Sequence, residues 1–173
     1  MIAQEWNLDL DVASLDQLVK RLEGFRKNLD VQIELYVNRL MQAGYQIANV
    51  RLADAKVSAR SDIRNDDTQL HVTIAERIGD TYLATLTLDG KRALFIEFGA
   101  GATLGYGHPK PGKYGPGTYN PDSPNWSNPE GWWYTNEQGE SRHTYGNKPY
   151  APVYGAREAI EAEFLAIARQ TFR

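Results

Sequence analysis

The spacing of hydrophobic and polar positions changes period twice along the chain, predicting a helical first third, a stranded middle and a closing helix. Ile2, Trp6, Leu8 and Leu10 alternate loosely with polar neighbours, which predicts a short leading strand. Leu15, Leu18, Leu22 and Phe25 then recur at three- and four-residue steps, with Asp16, Lys20, Arg21 and Glu23 on the other side. That is an amphipathic helix. Ser14 followed by Gln17 three residues later is a capping-box start. A break is expected near Asn28 to Asp30, after Gly24. A second helix from about Asp30 to Ala53 then follows on the stripe Ile33, Val37, Leu40, Gly44 and Ile47, broadened by Tyr36, Met41 and Ala48.

From Thr68 the period becomes two. Leu70, Val72 and Ile74 alternate with polar residues, Gly79-Asp80 reads as a turn, and Tyr82, Ala84, Leu86 and Leu88 alternate on the far side. Two antiparallel strands are predicted. After a turn at Asp89-Gly90, the apolar run Ala93 to Gly99 fits either a buried strand or one short helical turn, because periodicity does not separate the two in so short a run. The pattern ends with Pro149-Tyr150-Ala151-Pro152 and a helix from about Val153 to Thr171, striped by Ala156, Ile160, Phe164 and Ile167. No internal repeat is visible.

Between Gly99 and Tyr150 no period survives. This stretch holds ten of the chain's fifteen glycines, seven of its eight prolines and three of its four tryptophans. Disordered segments are poor in aromatics, so the stretch reads as an extended arm that orders by laying Trp126, Trp132, Trp133 and Tyr134 on another surface. These four are the candidate subunit-interface anchors, since tryptophan and tyrosine are enriched at protein interfaces.

Composition narrows the chemistry. The 173 residues are read as one domain with an arm at 99–150, long enough to bury a core without cross-links. With no cysteine there is no disulfide, thiolate metal site or cysteine nucleophile. A net charge of -3, with neither sign in a long block, argues against a dedicated nucleic-acid binder. The arm sets Lys110, Lys113, Arg142 and Lys148 against Asp122, Glu130, Glu137 and Glu140, so base stacking lacks its positive groove and protein contact is favoured. Met1 to Trp6 lacks the basic start and apolar run of a signal peptide, and no apolar stretch is long enough to span a bilayer. A protein made and kept in a cytoplasm is expected, with no membrane partner.

Catalytic signatures are missing. His71, His108 and His143 are far apart in sequence and in no metal-ligand spacing, although a zinc site across the arm from His108, His143 and an acid stays open. There is no nucleophile elbow, P-loop or dinucleotide fingerprint, and the glycines from Gly99 to Gly105 lead into proline. Glu97, set among apolar residues, is either a candidate general acid or a structural carboxylate that pairs with an arginine or caps amides at a bend. No cofactor is expected.

The order of these parts carries a resemblance. Two N-terminal helices and a hairpin lead to Phe95-Ile96-Glu97-Phe98-Gly99-Ala100-Gly101, then Gly131-Trp132-Trp133-Tyr134, then Pro149-Tyr150-Ala151-Pro152-Val153-Tyr154 opening the last helix. Over roughly residues 12 to 173 this resembles the phage neck and tail-completion proteins, also called head-tail joining or minor tail components. In that family an apolar-Glu-Phe-Gly segment ends the sheet region, a tryptophan-containing Pro/Gly-rich loop follows, and a proline-aromatic stretch opens the final helix. Phe95, Ile96, Glu97, Phe98, Gly99, Pro149 and Pro152 are the matching positions. The resemblance implies an α+β fold: two N-terminal helices, a small antiparallel sheet, a long aromatic Gly/Pro-rich loop and a C-terminal helix. It also implies a homo-oligomeric ring, commonly a hexamer, in the virion of a tailed phage or prophage. Such a ring assembles in the host cytoplasm, joins head connector to tail tube, passes DNA as cargo and has no enzymatic activity. A carbohydrate-binding or wall-degrading tail module using the same aromatics is the alternative. A single-stranded nucleic-acid binder is a third class, recognisable by steep salt dependence.

Overall fold

The computed structural model describes residues 12–58, 66–100, 130–136 and 138–173. Its elements are α1 (Val12–Ser58), β1 (Gln69–Val72), β2 (Glu76–Ile78), β3 (Thr81–Leu83), β4 (Leu86–Asp89), α2 (Ala93–Phe98), β5 (Trp132–Thr135), β6 (Ser141–Thr144) and α3 (Pro152–Thr171). Helices with small antiparallel ladders make this an α+β arrangement. The leading strand at Ile2 to Leu10 lies outside the described residues.

The two expected N-terminal helices are one. The 47 residues of α1 make a rod about 70 Å long at 1.5 Å per residue. Gly24 weakens a helix by about 1 kcal/mol but does not end it. There is no proline between Asn28 and Asp30, and Phe25, Leu29 and Ile33 keep a four-residue step across the expected break. The helical period therefore never lapses.

The C-terminal half of α1 packs along α3, which runs antiparallel to it. Arg51 donates to the Ala151 carbonyl at 3.1 Å near one end, and Arg39 donates to Thr171 Oγ1 at 3.0 Å near the other. Small residues allow close approach. A Cβ built on Gly44 would lie 2.8 Å from Ile160 Cδ1, and Ala48, Ala55 and Ala156 are also buried. Tyr36 closes the far end edge-on to Phe164, ring centroids 5.6 Å apart.

The predicted hairpin forms, with an interruption. β1 pairs with β4 from Gln69↔Asp89 to Val72↔Leu86, and β2 pairs with β3 from Glu76↔Leu83 to Ile78↔Thr81. Between the ladders the Thr73 N–H donates to the Thr85 carbonyl at 3.0 Å, so Ile74 and Ala75 together face Ala84. This is a two-against-one bulge, which bends the strand and increases its twist. The bulge turns Ala75 inward, where its N–H donates to Asn38 Oδ1 of α1 at 2.8 Å. Gly79, with φ 63°, takes the first position of the two-residue turn, as hairpin turns of the primed types require.

The run after Gly90 is the short helix α2. Its Ile96 is fully buried and forms a core cluster with Leu52, Ala55 and Tyr150, with Leu70 and Leu88 packed against it. Tyr150 lies under Lys148, whose ammonium is 5.0 Å from the ring centroid. Burial pushes its phenol up from the usual value, and the Asp54 carboxylate pushes the same way. In the unfolded chain that phenol ionises first, near pH 10. Stability is therefore full below about pH 10 and is lost as pH rises through the higher folded value. Urea midpoints at pH 9 and pH 11 are expected to fall less for Tyr150→Phe than for the parent chain.

Candidate functional site

Three features concentrate the candidate residues: a clamp between α2 and the start of α3, a groove beside it, and the aromatic hairpin β5–β6. The clamp brings together two of the three sequence segments that carried the resemblance. Ile96 accepts hydrogen bonds at its carbonyl from the Tyr150 and Ala151 amides, at 3.0 and 3.4 Å. Ala100 and Asn147 exchange backbone bonds of 2.8 Å in each direction. The Asn147 side chain also donates to the Phe95 carbonyl at 2.8 Å. Gly99 sits at φ 81°, and a Cβ there would lie 2.7 Å from the Pro149 nitrogen. Glycine serves both needs, since other residues pay a steric cost at positive φ.

Glu97 occupies the centre of the clamp. Its Oε2 accepts the Val153 N–H at 2.8 Å and its Oε1 accepts the Tyr154 N–H at 2.9 Å. The N-cap of α3 is Ala151, in the left-handed region at φ 49°, with no side-chain cap of its own. Pro152 at N1 has no N–H, and the Gly155 N–H returns to the Ala151 carbonyl at 2.9 Å. The two first-turn donors without helical partners are thus the ones Glu97 receives. A carboxylate at a helix N-terminus also meets the positive end of the macrodipole. Of the two readings open at Glu97, the capping one is what the geometry realises, across 56 residues of sequence rather than at a local bend.

Beside the clamp is an open groove of about 380 Å³ lined by Leu86, Leu88, Leu94, Phe98, Val153 and Tyr154, with Glu97 and Arg157 at its polar edge. Its walls suit an apolar side chain. Glu97 directs both oxygens to backbone amides, and among the described residues no histidine, serine or second carboxylate lines the groove. Among the described residues no three His, Cys, Asp or Glu side chains converge on a metal-sized point. His71 lies on exposed β1, 4.0 Å from Asp89. His108 lies outside the described residues.

The arm is not irregular throughout. Its last part folds as β5–β6, with Trp132↔Thr144, Trp133↔His143 and Tyr134↔Arg142 opposed. No clean alternation marks this strand in the sequence, because Trp132-Trp133-Tyr134 is aromatic on both faces. Trp132 and Tyr134 are half-buried, and Trp132 approaches Gly146. Trp133 points the other way and is 67% exposed. It meets His143 edge-on at 5.1 Å, and His143 meets Tyr145 at 4.8 Å. The structure thus sorts the candidate anchors: Trp133 heads an outward ridge with His143 and Tyr145, while Trp132 and Tyr134 are half-buried. Sequence reasoning weighed His143 only as a possible zinc ligand and passed over Tyr145; their place beside Trp133 becomes visible once the register is known. Trp126, and residues 101–129 of the arm, lie outside the described residues.

Among the described residues no helix is long and apolar enough to cross a membrane. No protein-family model, curated protein or solved structure matches the chain.

Proposed function

We propose that this chain is a structural subunit, without enzymatic activity, of a ring at the neck or tail end of a tailed phage or prophage particle. The ring would be homo-oligomeric, would join head-connector and tail-tube components, and would pass DNA through its channel. The observation that carries the reading is the Trp133–His143–Tyr145 ridge, an aromatic surface with Trp133 exposed, on a hairpin that among the described residues has two strands. Two-stranded hairpins are marginal alone, and aromatic ridges of this kind gain free energy by entering a neighbour's pocket. The apolar groove at the clamp lies elsewhere on the same chain. A ridge and a groove at different places make a head-to-tail contact, the kind that closes into rings when its rotation allows.

The order of motifs from Phe95 to Tyr154, which resembles neck and tail-completion proteins, supplies the phage context. Glu97 supports a non-catalytic role, since its carboxylate holds a helix end. A balanced surface charge suits a channel through which DNA slides without adhering.

Size-exclusion chromatography with light scattering tests the reading. The parent chain is expected to form a closed oligomer. Trp133→Ala, at an exposed position, is expected to weaken each contact by about 2 kcal/mol, roughly thirtyfold, without changing the melting temperature. A parent chain that stays monomeric at every concentration, alone and with tail-tube and connector proteins, would sink the proposal. Glycan binding lost in Trp133→Ala would favour the carbohydrate-binding alternative.

A further inference from the structure

We propose that the N-terminal projection of α1 is a docking helix for a partner helix whose apolar stripe is flanked by acidic residues. Among the described residues, the ion pair between the hairpin and α1 that lies nearest the N-terminus is Arg77 with Asp30, at 2.8 Å. Among the described residues of α1, the first buried one is Leu40. Val12 to Leu29 therefore extends about 27 Å beyond the buried part of the described residues. Its apolar residues are not scattered. With Leu15, Leu22 and Leu29 at position a and Leu18 and Phe25 at position d, they form two heptads of a coiled-coil seam. Leu15, Leu22 and Leu29 are exposed, and Phe25 is 61% exposed.

Charge decides what the seam takes. Its flanking e and g positions are Val19, Arg21, Arg26 and Asn28, so the charged flanks are both arginine. The acids Asp16 and Glu23 fall at b, four residues before Lys20 and Lys27, a spacing that favours neutralisation within the helix itself. Two copies paired through this seam, parallel or antiparallel, would set arginine against arginine. A helix with glutamate or aspartate at e and g meets both arginines favourably. Gly24, at an outward c position with nothing within 4 Å, leaves the isolated projection weaker than its length suggests. A partner's seam would offset that.

The probe is a labelled 21-residue helical peptide with leucine at a and d and glutamate at e and g, compared with a twin carrying lysine at e and g. Each is titrated into the full chain by fluorescence anisotropy. The glutamate peptide is expected to bind roughly tenfold more tightly than its twin. Phe25→Asp should abolish binding, and Arg21→Glu/Arg26→Glu should reverse the preference. Phe25, Arg21 and Arg26 are exposed, and circular dichroism will show whether the variants remain folded. Equal binding of the two peptides, or none, overturns the proposal. So does dimerisation of the parent chain that Phe25→Asp removes, which would make a second copy the occupant. Binding that appears only after residues 1–11 are deleted overturns it as well, since the chain's own segment would then occupy the seam. The ring test depends on Trp133 and this one does not, so each can fail alone.

Discussion

Ile96→Ala is expected to cost about 2 to 5 kcal/mol, the range for removing most of a large aliphatic side chain from a packed interior. Ile96 is 0% exposed and touches both long helices' neighbourhoods through Leu52, Ala55 and Tyr150. Its backbone carbonyl also receives Tyr150 and Ala151, so a cavity at its side chain loosens the segment that starts α3. Domains of this size are typically stable by about 5 to 15 kcal/mol, and the loss is a large share of that. Equilibrium urea unfolding measures it. Phe95→Ala is the internal comparison, because Phe95 is half outside the core and should cost less than half as much. Equal losses at the two positions would show that Ile96 is not the inward residue of α2.

The second large effect is at Glu97. Glu97→Ala leaves the Val153 and Tyr154 amides without their acceptor at a partly buried helix end. Bonds to a charged group contribute about 1.5 to 3 kcal/mol each, and water at the open groove will recover part of that. The expected net loss is about 2 to 4 kcal/mol. Glu97→Gln keeps one acceptor oxygen but turns an NH₂ toward the other amide, so about 1 to 2 kcal/mol should go. A fall in the urea midpoint at constant slope, graded from Gln to Ala, is the expected signature. If both variants unfold like the parent chain, the carboxylate does not cap α3 in solution, and a chemical role for Glu97 reopens.

These two residues mark where the sequence was informative and where it was not. Both were legible as one apolar-Glu-Phe-Gly segment, and Glu97 was legible as a carboxylate needing partners. Which partners it has was not, because Val153 and Tyr154 are more than fifty residues away and a backbone N–H leaves no trace in residue type. The hairpin was readable from its period of two, yet its bulge was not. Ile74-Ala75 and Ala84 look ordinary in sequence, and only the pairing register reveals two residues facing one. The candidate interface residues were picked by composition, and the register then separated Trp133 from Trp132 and Tyr134 and set His143 and Tyr145 beside it.

Local order along the chain came from sequence alone: the helical stripe from Leu15 onward, the alternation from Leu70 to Leu88, and the proline-led final helix. Periodicity reports which side of an element is apolar, and that is a property of neighbouring residues. The tertiary structure decided three further things. It made α1 one rod rather than two helices, because no proline interrupts Asn28 to Asp30 and the four-residue step runs through it. It joined Glu97 to the start of α3, because a capping donor is identified by position in space. It also left Leu15, Leu22, Phe25 and Leu29 exposed while burying Leu40 and Leu52 of the later stripe. The two stripes read alike in sequence, and only the reach of α3 and the hairpin sets them apart.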